Sequence, residues 1–177
     1  HFASRDALLC EAIAHAGLDS AARLAKSAAQ RQARGASPLR ALVEAYLSDS
    51  HLGAFTQGCP VAALASEMPR QSAEVSQAAA ERVRRLVAAV QRAMPEGAAE
   101  QAVVVAAQLV GALQLARALG DNAEGRALLA ATRRSVLAQF DAAAARWARS
   151  AAIAFTPTGN MTKVILENPR IPPCRSR

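Results

Sequence analysis

Apolar side chains recur along this chain at steps of three and four, the spacing of one face of an α-helix. Leu8, Leu9, Ala12, Ile13 and Ala16 form the first such stripe. Ser4 precedes it with a hydroxyl that can cap free N–H groups, and Asp6 suits the positive end of the helix dipole. The first helix is expected from Ser4 toward Gly35, weakened but not ended by Gly17. In "SPLRALVEAYL", Ser37 reads as a cap and Pro38 as the first helical residue, where its missing N–H costs nothing. Leu39, Leu42, Val43 and Tyr46 share a face of this second helix, and "SDSHLGAFTQG" after it reads as a loop. A short third helix starts at Pro60 and is limited by Pro69. The fourth starts near Ser72 and ends at "MPEG"; Val75, Ala79, Val83, Leu86, Val87, Val90 and Met94 fall on one side, with Glu81, Arg84, Arg85 and Arg92 elsewhere.

The fifth helix, about Ala98 to Leu119, is apolar in every direction, through Val103, Val104, Val105, Leu109, Val110, Leu113 and Leu115. Such a helix must be covered on all sides, and in so small a domain one cover is expected to be a second copy of the chain. The sixth runs from about Ala123 to Ala151, with Leu129, Val136, Phe140, Ala143 and Trp147 close to a heptad seam that Arg133 interrupts. Together they predict a homodimer held by a four-helix bundle, two helices from each subunit. Val105, Ala112, Leu113, Leu129, Val136, Phe140 and Trp147 are the expected interface; the alternative packs both helices inside one monomeric bundle.

Composition sharpens the all-α reading. Of 177 residues 46 are Ala, the best helix former, and Val and Ile do not alternate as strands require. The net charge is +7, of which the last 22 residues carry +3, leaving +4 for the rest. The arginines are spread along helices, which favours a solvated basic surface over a nucleic-acid or membrane patch. Cys10, Cys59 and Cys174 form neither a disulfide framework nor a zinc pattern, and a reducing cytoplasm is expected. The apolar run 102–119 is broken by Gln108, Gln114 and Arg117, which argues against a membrane span. From about residue 152 the alanines give way to "TPTGNMTKVILENPRIPPCRSR", an atypical tail over 152–177. The chain has no Gly-rich phosphate loop, no G-x-S-x-G and no H-E-x-x-H, and His1, His15 and His51 stand apart. No enzyme, no metal and no cofactor is expected.

The opening "HFASRDALL" resembles the junction between the helix-turn-helix head and the body of TetR/AcrR-family transcriptional regulators. His1, Phe2, Ser4, Arg5, Asp6 and Leu8 fall in the order of that junction, and "GCPVAALASEMPRQ" is similar to a segment within the body of one branch of the family. The resemblance implies that residues 1–3 are a remnant of the DNA-binding head and 4–151 the ligand-binding and dimerisation domain. The six helices would then be the family's fourth to ninth. His1 and Arg5 would touch the DNA backbone, which positions a protein without reading sequence.

The resemblance also implies a mechanism. A ligand that prefers a body with different head spacing shifts the population away from operator DNA, where the heads sit about 34–36 Å apart. The first helix is the lever. Ile13, Leu42, Tyr46, Phe55, Cys59, Leu64, Val83, Val87, Gln108 and Leu109 are the expected pocket residues, with Tyr46 and Gln108 as polar groups that need partners. With little charge among them, a small apolar or weakly polar ligand is expected. Cys59, at a helix start, raises an alternative: a cysteine-based redox or electrophile sensor. A helical protein-interaction dimer without regulatory function is the remaining alternative.

Overall fold

The computed structural model describes residues 2–141. Its helices are α1 (Arg5–Gln32), α2 (Pro38–Tyr46), α3 (Asp49–Leu52), α4 (Pro60–Leu64), α5 (Ala73–Ala93), α6 (Ala102–Leu119) and α7 (Ala123–Val136), and no strand occurs among the described residues. The start signals act as expected. Ser4, Ser37 and Ser72 accept hydrogen bonds from Ala7 N (3.0 Å), Arg40 N (3.1 Å) and Val75 N (3.4 Å). Asn122 caps α7 through Glu124 N and Gly125 N. Gly35 and Gly120 follow α1 and α6 with φ of +91° and +98°, values that a side chain would strain.

The core lies between α2, α5, α6 and α7. Leu39, Val43, Tyr46 and Leu47 from the α2 region meet Val90 of α5, Val105, Leu109 and Leu113 of α6, and Leu129 and Val136 of α7. The long α1 packs differently. Among its side chains only Ile13 and Ala28 are buried, and Ala28 meets Ala41 and Ala45 of α2. Its contacts are to α2, α5 and α4.

Three elements depart from the sequence expectation. The loop after α2 contains α3, a single helical turn. Ser48 accepts from His51 N to start it, Leu52 anchors it in the core, and Arg117 caps its far end through the carbonyls of His51, Leu52 and Ala54. No periodicity can reveal an element that short. The fourth sequence helix keeps its expected bounds, but the sixth gives way after Val136 to a π-helical turn, Leu137–Asp141. Asp141 closes that turn on the start of α2, accepting from Ser37 Oγ and pairing with Arg40 at 2.8 Å. The remainder of the expected helix, Ala143 and Trp147 included, and the tail lie outside the described residues, as does His1.

The third departure concerns the dimer face. Val105, Ala112, Leu113, Leu129 and Val136 are buried beneath their own chain, and Phe140 packs against the same core. The expected interface thus took the inner side of each helix. The surplus apolar surface is real, but it is the opposite side of α6: Val103, Val104, Leu115 and Leu119 are 58%, 46%, 60% and 38% exposed. Around a helical wheel Val103, Val104 and Leu115 stand on the half-turn facing away from Val105, Leu109 and Leu113, with Leu119 at its edge. A composition apolar all round shows that two sides need cover, not which side meets which neighbour. Ala99–Leu119 has the length and apolarity of a membrane span, yet its inner side is what fills this core.

Candidate ligand-binding site

Alanine makes the site. Where α1 faces α5 and α2, the opposed side chains are mostly small: Ala21, Ala25 and Ala28 on α1 and Ala89 and Ala93 on α5. Helices so lined leave unfilled volume unless their axes close up, and here a cleft of about 950 Å³ remains. That volume is at the upper end of the range for small-molecule sites. A second, smaller space of about 310 Å³ lies alongside, lined by apolar groups of α1, α4 and α5, with Pro60, Val61 and Arg82 common to both.

Tyr46 is the most deeply buried polar side chain lining the larger cleft. It is 1% exposed, and its hydroxyl has no conventional hydrogen-bond partner. The Cys59 thiol beside it is at most a weak one. Burial, and then the neighbouring Cys59, raise the phenol well above its ordinary value of 10.0, so the hydroxyl keeps its proton and can donate. The Tyr46 ring meets His51 edge-on, with centroids 4.9 Å apart. His51 is fully engaged with backbone: Nδ1 donates to the Tyr46 carbonyl at 2.6 Å and Nε2 accepts from Cys59 N at 3.1 Å. Only the neutral ring can do both. Its pKa accordingly falls below the ordinary 6.5, with burial the main cause, partly opposed by the bond to the Tyr46 carbonyl and reinforced by Arg117.

The ten expected pocket residues divide three ways. Leu42, Tyr46 and Cys59 line the larger cleft. Ile13, Leu64 and Val83 line the smaller. Phe55, Val87, Gln108 and Leu109 line neither. Phe55 is 60% exposed and lies under the Arg117 guanidinium, 5.4 Å from ring centroid to Cζ. Leu109 is fully buried in the core and Val87 packs against it. Gln108 sits half-buried on α6 with its Oε1 unpartnered. Sequence showed no basic neighbour for Cys59; the fold brings His51 there, but both ring nitrogens are committed to backbone and neither is free to take the thiol proton. Arg5 is exposed at the start of α1, 3.5 Å from Asp6. No cluster of three metal-ligating side chains occurs among the described residues.

The charged lining was not foreseen. Arg23 of α1 and Arg82, Arg85 and Arg92 of α5 all border the larger cleft, and no carboxylate does. Their positions on α5, spaced three and seven apart, bring them to one side of that helix, facing α1. The sequence pattern placed Arg85 and Arg92 merely away from the apolar stripe and singled out neither Arg23 nor Arg82.

The chain belongs to the tetracyclin repressor-like C-terminal domain family, whose sequence model matches residues 35–151. Domains of this family are the regulatory portions of transcriptional regulators and are generally non-enzymatic. No curated protein matches the chain.

Proposed function

We propose that this chain is the ligand-binding and dimerisation part of a one-component transcriptional repressor of the cytoplasm, which releases operator DNA when a small molecule enters the larger cleft. The observation that carries the reading is the buried Tyr46 hydroxyl, left without a conventional partner in the lining of a cleft of about 950 Å³. A buried hydroxyl without a partner costs on the order of 1–3 kcal/mol, and a bound molecule can supply the missing acceptor. The cleft lies under α1, the helix expected to lead to a DNA-binding head. A ligand that separates α1 from α5 would turn that helix and change the spacing of two heads.

Homodimerisation is part of the proposal, through the outer side of α6. Val104, Ala107, Gly111, Leu115 and Ala118 recur there at steps of three and four without a charge among them, and a Cβ on Gly111 would meet nothing within 4 Å. Small residues in that stripe allow a second helix to approach closely, and contiguous exposed apolar surface marks sites of protein interaction. The same surface also suits a different helical protein, the rival reading.

Sedimentation velocity at tens of micromolar separates the two. The expected result is a dimer that Leu115→Glu converts to a folded monomer, whereas Leu113→Glu, in the core, abolishes folding. A wild-type chain that sediments as a monomer, or a Leu115→Glu chain that remains dimeric, refutes this mode of assembly.

A further inference from the structure

The charged side chains that border the cleft are all arginines, which can only donate. Tyr46 has a buried proton and no acceptor beyond the weak Cys59 thiol. Arg85 is held by Glu81 at 2.9 Å, and Arg23 donates to the Gln57 carbonyl at 3.1 Å. Arg82 and Arg92 have no acidic partner among the described residues, and no carboxylate borders the cleft to balance them. Arg82 is the best placed. It is half-buried, it borders both the larger cleft and the apolar space beside it, and it lies across α1 at Gly17. A Cβ on Gly17 would meet Arg82 Cδ at 2.5 Å and Nη1 at 3.0 Å, so the notch left by that glycine is what admits the side chain.

We infer that the ligand is an organic anion with an apolar body. This rests on the reading of the cleft as a ligand site and names its chemistry, against the apolar or weakly polar ligand that the sequence suggested. A guanidinium drawn partly out of water without a counter-charge gains most from an acid group, which accepts two parallel hydrogen bonds from the planar fork. Arg23 and Arg92 at the edge raise the local potential and draw anions in. The apolar body has Leu24, Leu42 and Leu86 along the cleft and the smaller space beyond Arg82. A cation in the same place meets only like charge.

The test is competition against a fluorescent acid, 11-(dansylamino)undecanoate, whose emission shifts to the blue when it leaves water. Decanoate, decan-1-ol and decylammonium serve as competitors of one chain length and three charges. Decanoate is expected to displace the probe at least about tenfold more tightly than decan-1-ol, a difference of one decade in Kd. Decylammonium is expected not to displace it. Arg82→Gln should weaken decanoate by about tenfold and leave decan-1-ol unchanged, as one charge-assisted contact is lost. Arg92→Gln, at an exposed position, should do the same to a smaller extent and remains informative if the first variant folds poorly. Equal displacement by all three competitors overturns the anionic class while leaving the cleft as the site. Preference for decanoate that survives both substitutions overturns the role of the arginines. Failure of the probe and of every competitor to bind overturns the reading of the cleft itself.

Discussion

Arg117→Met should lower the melting temperature by about 5–10 °C. Arg117 leaves α6 and gathers the carbonyls at the end of α3: Nη2 donates to His51 O at 3.0 Å and to Ala54 O at 3.2 Å, and Nε reaches Leu52 O at 3.4 Å. The last is long and is set aside. Two charge-assisted bonds at the lower end of their range contribute ~3 kcal/mol, and the guanidinium over Phe55 adds ~0.5 kcal/mol. Burial depresses the pKa of Arg117, a sign that desolvation of the guanidinium offsets part of this gain. A net loss of about 2–3 kcal/mol at roughly 2–4 °C per kcal/mol gives the stated shift for a chain of this length. Thermal melts followed by circular dichroism at one fixed protein concentration would measure it, because the proposed dimer would make the midpoint concentration-dependent. Arg117→Lys keeps the charge but not the fork and should recover less than half the loss. Gly58→Ala should not add fully to Arg117→Met, since a Cβ there strikes both the Arg117 guanidinium and the Ala54 carbonyl. A change in melting temperature below about 1 °C for Arg117→Met would show that α3 is held by Leu52 alone and refute the capping argument.

His51 makes stability depend on pH. Its folded pKa is below the ordinary 6.5, so the unfolded chain takes up the proton first; the contribution is complete above about pH 6.5 and is lost as pH falls through the folded value. Urea midpoints should decline from pH 7 to pH 5.5 in the wild type, and a His51→Ala chain, less stable throughout, should be flatter across that window. Tyr46→Phe should leave the free protein unchanged or stabilise it by up to ~1 kcal/mol in urea titration, because the hydroxyl it removes has no conventional partner; a loss larger than that would reveal an acceptor. Gly125→Ala should destabilise by ~1–3 kcal/mol despite the better helix propensity of Ala, since the new Cβ strikes the Gly120 carbonyl and comes within 2.9 Å of Ala116 O. A gain in stability there would mean that the α6–α7 corner can open without cost.

Local signals carried most of the architecture. Ser4, Ser37 and Ser72 cap the helices they precede because capping needs only a hydroxyl and the next three residues. Pro38 and Pro60 start α2 and α4 for an equally local reason. What stayed hidden depends on residues far apart. The far end of α3 is closed by Arg117, 66 residues beyond His51, and the π-helical turn after α7 closes on Ser37 and Arg40, 104 and 101 residues before Asp141. The orientation of α6 was hidden because its two sides are equally apolar, so periodicity has no phase to report. The site was legible in part: of the expected residues, Leu42, Tyr46 and Cys59 line the larger cleft and Ile13, Leu64 and Val83 the smaller. Its arginines read as solvent-facing, because a sequence does not show that small side chains opposite leave room for them.

The cleft is a space produced by what its walls lack. Ala21, Ala25 and Ala89 each mark a position at which a few methyl groups would narrow the chamber, and none of the three is part of the buried core that holds the helices together. The inner contour can therefore be redrawn in single-residue steps, Ala to Val or Leu, while the scaffold of α2, α6 and α7 stays as it is. A cleft built in this way can change the size of molecule it would admit without the protein first having to become less stable.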